Sequence, residues 1–121
     1  MKIFKTKNEI TSFDTEEKGL VNGFLKVKIY NAKKYPSNGE STVVTEYFIF
    51  IPSDVELDES EKEMFEGVER GETLFVKKNH IRLSREESAD LKDLDAIIEF
   101  AAEKLLKTAW GLTSSDWEEI K

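Results

Sequence analysis

There is no cysteine in this chain, and that absence excludes disulfides and thiolate chemistry together. Two methionines are the only sulfur ligands left. A chain without cysteine also favours an intracellular home. Histidine is nearly absent. The single one, His80 in KKNHIRL, rules out a two-histidine metal site within one chain, and any nucleophile with a histidine base has to use it. No serine sits in a G-x-S-x-G turn. The six glycines occur singly, at 19, 23, 39, 67, 71 and 111, so no glycine-rich loop lets backbone amides close around a phosphate. No apolar run approaches the ~20 residues that span a bilayer, and MKIFKTKNEI lacks an apolar run followed by a small-residue cleavage site. These absences lead to an expectation of a soluble, cytoplasmic protein, not an enzyme, with no cofactor, no metal and no membrane partner.

What is present is enough for a core. The 121 residues are 39% hydrophobic and include 8 Phe, 3 Tyr and 2 Trp, which suits one domain over residues 1–121.

Period-two patterning marks the first half. In GFLKVKIY, Leu25, Val27 and Ile29 alternate with Lys26, Lys28 and Tyr30, which predicts a strand with one wet face. The segment Thr42 to Ile51, TVVTEYFIFI, is apolar on both faces and predicts a central strand ended by Pro52. Pro36 and Asn38-Gly39 between them predict a hairpin with a long exposed connection. Asp58 with Glu61 forms a capping-box pattern ahead of a short helix over 59–66. RGETLFVKKNHIRLS resumes the strand pattern with a slip of phase, from even Leu74 and Val76 to odd Ile81 and Leu83. A bulge, or a tight turn at Lys78-Asn79, accounts for the slip.

Ser84 with Glu87 is a second capping box. It opens a stripe of Leu91, Leu94, Ile98, Ala101 and Leu105, widened by Ile97, Ala102, Leu106 and Ala109 and closed by Gly111. One long helix over 85–110 is the expectation, with a further helical turn near Ser115 to Ile120. Lys5 to Lys18 reads as a polar loop or an irregular edge. Strands first and helix last predict an α+β fold: a mainly antiparallel sheet of about four to five strands, a short helix, and one long C-terminal amphipathic helix packed on one face.

Charge is distributed unevenly. The net charge is −7, and residues 54–72 hold nine acids against Lys62 and Arg70, so that segment alone carries −7. Asp54, Glu56 and Asp58 alternate like the first ligands of an EF-hand loop, but Glu59 stands at the glycine position and Phe65 at the bidentate acid. Calcium is therefore not the expectation. Instead Asp54, Glu56, Asp58, Glu59, Glu63 and Glu66 form a candidate partner-binding set. Carboxylates on successive helical turns lie about 5 to 6 Å apart, a spacing comparable to backbone phosphates. Such a nucleic-acid-mimicking row fits the basic groove of a nucleic-acid-handling protein, as an inhibitor of phage or mobile-element type would.

Two alternatives accompany that reading. Lys26, Lys28, Lys33 and Lys34 surround Tyr30 and Tyr35, and lysines neutralise phosphates while bases stack on aromatic faces. KYPSNGESTVVTEYFIF, followed by a helix and an RGETLFV strand, looks a little like OB-fold single-stranded-DNA-binding proteins over about half the chain. That resemblance implies direct nucleic-acid binding through the tyrosines and lysines. A structural or assembly subunit, pairing through the long helix or the Trp110 to Trp117 region, is the other alternative.

Overall fold

The computed structural model describes residues 1–16, 18–65 and 67–120. Its core is an antiparallel sheet of six strands: β1 (Lys2–Thr6), β2 (Ile10–Thr15), β3 (Gly19–Lys34), β4 (Ser41–Glu56), β5 (Arg70–Leu83) and β6 (Trp117–Ile120). The order is β5-β4-β3-β1-β6, with β2 also paired to β3. β1 and β2 share one edge of β3, β1 along residues 26–29 and β2 along 19–23. The chain thus meanders from β1 to β5 and then returns to lay β6 outside β1.

β3 and β4 form the long hairpin that the alternation predicts, with Lys34 opposite Ser41. Of Asn38-Gly39, Gly39 takes the positive φ, 74°. β4 is central, between β3 and β5. It does not end at Pro52 but continues to Glu56 across a register shift. Pro52 lacks a ladder N–H and so weakens pairing locally; Glu56 regains it opposite Arg70.

One face of the sheet carries the main core. Leu25, Val27 and Ile29 from β3, Val43, Tyr47 and Ile49 from β4, and Phe4 from β1 pack against α3 (Leu94–Trp110). The helix supplies Ile97, Ile98, Ala101, Ala102 and Leu106, all buried. Each isoleucine or leucine among them stabilises by roughly 1.5–3 kcal/mol on burial. Trp110 packs on Tyr47 with ring centroids 5.3 Å apart, and Trp117 meets Phe4 edge to face at 5.2 Å. Both indoles therefore belong to this layer. Lys2 spans the joint, pairing with Glu99 of α3 at 2.7 Å and Glu119 of β6 at 3.3 Å.

Among the described residues, a second cluster covers one end of the opposite face. There α1 (Glu59–Met64) brings Phe65 onto Phe50, with Leu57 completing a second small core. Phe50 is accommodated because Gly71 lies beneath it: a Cβ on Gly71 would fall 2.1 Å from Cζ of Phe50. The Asp58 carboxylate caps α1 by accepting from the Glu61 N–H at 2.8 Å.

Several expectations are corrected. The helix expected over 85–110 is two helices, α2 (Arg85–Ser88) and α3. The Ser84–Glu87 capping box is present in both directions, but the Asp93 carboxylate caps a new start by accepting from Ala96 N–H at 2.7 Å. The buried stripe is consequently centred on Ile97 and Ala101, and Leu94 is 53% exposed. Gly111 caps α3 in the left-handed conformation, as expected. Residues 117–120 form β6, where helix was expected. Their edge is satisfied by β1, with Ile120 opposite Ile3. Much of Lys5 to Lys18 is strand, the end of β1 and all of β2, with a register shift between Ile10 and Phe13. The slip in β5 is a bulge at Val76, because Tyr47 faces Lys77 while Phe48 faces Phe75.

Candidate functional site

Two surfaces of opposite charge emerge from this arrangement. The first is the acidic arm formed by the end of β4 and α1. Asp54, Glu56, Asp58, Glu59 and Glu63 are all exposed. Glu59 and Glu63 are four apart on α1, hence on one side of it. Glu66, the remaining member of the expected set, lies outside the described residues. Two of the segment's other acids have local duties: Glu61 accepts from the Thr73 hydroxyl at 2.9 Å, and Glu72 pairs with Lys18; Glu69 is exposed.

Ion pairs among the described residues lie elsewhere: Lys2 with Glu99 and Glu119, Lys5 with Glu118, Arg82 with Glu40, Lys104 with Glu87, Lys18 with Glu72. None involves Asp54, Glu56, Asp58, Glu59 or Glu63. Among the described residues, no lysine or arginine pairs with these five carboxylates.

The second surface is the part of the sheet's outer face that α1 does not cover. Register places Lys26, Lys28 and Tyr30 of β3 opposite Phe48, Glu46 and Val44 of β4. These in turn face Phe75, Lys78 and His80 of β5. Side chains of directly opposed residues share a face, so all nine project from one side. Phe75 is 58% exposed and meets Phe48 edge to face, centroids 5.6 Å apart.

The expected tyrosine–lysine ribbon is only partly assembled. Lys26, expected on a wet face, is 5% exposed, because Met64 of α1 closes over it. Its ammonium contacts the Met64 thioether and lies 5.0 Å from the Phe48 ring centroid. Burial first, and then the charge of Lys28, hold its pKa below the ordinary lysine value; Glu61 and Glu46 oppose this. Lys28 sits over the Tyr30 ring at 5.4 Å. The Tyr30 hydroxyl donates to Glu46, a bond that raises its pKa ahead of a smaller contribution from burial.

Beyond the shift at residues 31–32, where Asn31 takes a φ of 56°, Lys33 faces Thr42 and shares the outer face. Lys34 does not. It turns to the helical side, donating to the Ser88 and Leu91 carbonyls at 3.0 and 2.9 Å. Tyr35 stands apart at the hairpin tip, 41% exposed. Sequence reading missed Phe48, Phe75 and Lys78 as members of this surface, because the Val76 bulge decides which face Phe75 takes.

His80 is exposed in β5. Among the described residues no group of acidic or histidine side chains forms a metal-binding cluster, and no helix is long and apolar enough to cross a membrane. Comparison with family models, curated proteins and solved structures finds no match to this chain. The OB-like order is not the observed one either. The described pairings run from edge strand β5 to edge strand β6 without closing, and a helix covers the inner face.

Proposed function

We propose that this chain is a non-enzymatic binding protein. It docks its acidic arm, Asp54, Glu56, Asp58, Glu59 and Glu63, on a basic groove of a nucleic-acid-handling protein, as an inhibitor carried by a phage or mobile element would. The single observation behind the reading is that these five acids are exposed and bound by none of the chain's described cations. Carboxylates held that close repel one another, and a cationic partner relieves the repulsion while steering the encounter. Solvation alone does not require nine acids against two bases within residues 54–72.

The same exposure argues against catalysis by these residues. A carboxyl that works as a general acid near neutral pH needs burial to retain its proton, and the arm has none. The short helix serves as the presenting element: Asp58 fixes its start, and Phe65 anchors its end in the Phe50 cluster. Nucleic-acid mimicry follows from the row of charge about 5 to 6 Å apart that Glu59 and Glu63 set up on one side of α1.

The test is charge reversal. Immobilised protein at ~50 mM salt, where electrostatic capture is strongest, should retain nucleic-acid-binding proteins from a lysate. The Glu56→Lys, Glu59→Lys, Glu63→Lys triple variant should lose them while unfolding at the same temperature as wild type. Equal capture by both proteins dismisses the reading.

A further inference from the structure

The outer sheet face presents an uncommon combination for a protein of net charge −7. A large aromatic ring, Phe75, stands 58% exposed on edge strand β5, next to Val76 at 42% and followed by Lys77 and Lys78. Blunting an edge strand against aggregation calls for lysines and arginines, and β5 has Lys77, Lys78 and Arg82 for that purpose. It does not call for Phe75, whose exposure is unfavourable in water. Phe48 buttresses that ring from the neighbouring strand, and Lys26 backs Phe48 in turn.

Cations surround the pair on the same face. Lys28, Lys33 and Lys78 take part in no ion pair among the described residues. Of the acids nearby, Glu118 pairs with Lys5 at 3.6 Å and Glu40 with Arg82 at 3.3 Å, while Glu46 accepts from Tyr30 and keeps its charge. Three lysines against the single charge of Glu46 leave the balance positive beside a supported aromatic platform.

We infer that this face binds single-stranded nucleic acid, a base stacking on Phe75 while Lys28, Lys33 and Lys78 neutralise backbone phosphates. The aromatic platform is the ingredient specific to a single strand. An unpaired base has an open π-face for the ring, whereas a duplex buries its bases and offers only phosphate. The site rests on residues separate from the acidic arm, so either proposal can fail alone. The arm also bounds it. The α1 end of the face is acidic and repels phosphate, so a strand lies along the Phe75–His80 half of the sheet and stops short of Phe50.

Fluorescence anisotropy with a labelled oligothymidylate of about a dozen nucleotides, at ~50 mM salt, tests this. Binding should weaken about tenfold in Phe75→Ala. Phe75→Leu keeps the apolar contact with Phe48 but removes the ring, and it should lose as much. Lys78→Ala should flatten the log–log salt dependence by about one unit. The Glu59→Lys, Glu63→Lys variant should still bind, and a blunt duplex of equal charge should bind less tightly than the single strand. The inference is overturned if wild type does not bind, if Phe75→Leu binds as wild type does, or if the duplex binds equally well. It is also overturned if light scattering shows that the face pairs two copies of the chain and Phe75→Ala abolishes that pairing.

Discussion

Phe50 and Phe65 stack with ring centroids 4.4 Å apart and planes inclined by 24°. That contact is what fixes the acidic arm to the sheet. α1 has six residues and buries none of them, and a helix so short does not persist in water by itself. Its position rests on Phe65 and on Leu57, which flank it.

Phe65→Ala should therefore lower stability by about 3 to 5 kcal/mol, the usual loss for a buried phenylalanine. It should also release α1, so that amide exchange across Glu59–Met64 accelerates more than exchange in β3. Denaturant unfolding and hydrogen exchange measure the two effects. Uniform loss of protection would mean that the arm and sheet unfold as one.

Gly71→Ala tests the same contact from below. Its new Cβ would lie 2.1 Å from Phe50 Cζ and 2.5 Å from the Ile51 carbonyl oxygen, too close for either to remain in place. Overpacking of this kind costs about 1 to 3 kcal/mol, seen as a lower denaturant midpoint. A double variant, Gly71→Ala with Phe50→Leu, should recover part of it.

Lys26 makes stability depend on alkaline pH. Its folded pKa lies below the ordinary 10.5, chiefly through burial and then through Lys28. Between that lowered value and 10.5 the unfolded chain holds a proton that the folded chain has released, so unfolding takes up a proton and stability rises with pH. Below the folded pKa the full penalty of the buried ammonium applies. Lys26→Met should remove that penalty, raising stability at neutral pH by on the order of 1 kcal/mol and flattening the alkaline rise. Denaturant midpoints across pH 7 to about 11 measure this; an unchanged slope would contradict it.

Glu87 also makes stability rise with pH, at the acid end, but its lowered pKa reflects stabilisation of the charged form rather than a penalty on it. Its pKa is lowered first by Lys104, at 2.7 Å, and next by the Ser84 backbone N–H, at 2.9 Å. The stabilisation is fully present above the ordinary glutamate value and is lost as pH falls through the lower folded one. Ser84→Ala should cost about 1 kcal/mol. A double-mutant cycle between Glu87→Gln and Lys104→Met should give a coupling of about 0.5 kcal/mol, modest because both side chains are partly solvated.

How far the chain announces this structure depends on whether the signal is local. Alternation in residues 24–30 and the two-sided apolarity of 42–51 reveal β3 and β4, because burial there follows from strand period alone. Gly111 is readable as a cap for the same reason: the left-handed φ is a local demand. The break between α2 and α3 is marked only by Asp93, with no glycine or proline, while Leu91 continues the apolar spacing across it. β1, β2 and β6 gain their pairing from β3 and from each other, contacts that no short window contains. Lys26 shows the limit most clearly. Its alternation places it outward, correctly, but Met64 arrives from 38 residues away to cover it. The acidic arm was legible as composition. The outer-face patch was not, since Phe75 joins Phe48 only through the bulge at Val76.

The proposal that the arm imitates nucleic acid is tested most directly by competition. A partner retained on immobilised protein at ~50 mM salt is challenged with increasing duplex DNA. Mimicry predicts that the duplex displaces the partner completely and that the amount required rises in proportion to the immobilised protein. A partner that stays bound at saturating duplex contradicts it, because protein and nucleic acid would then occupy different surfaces.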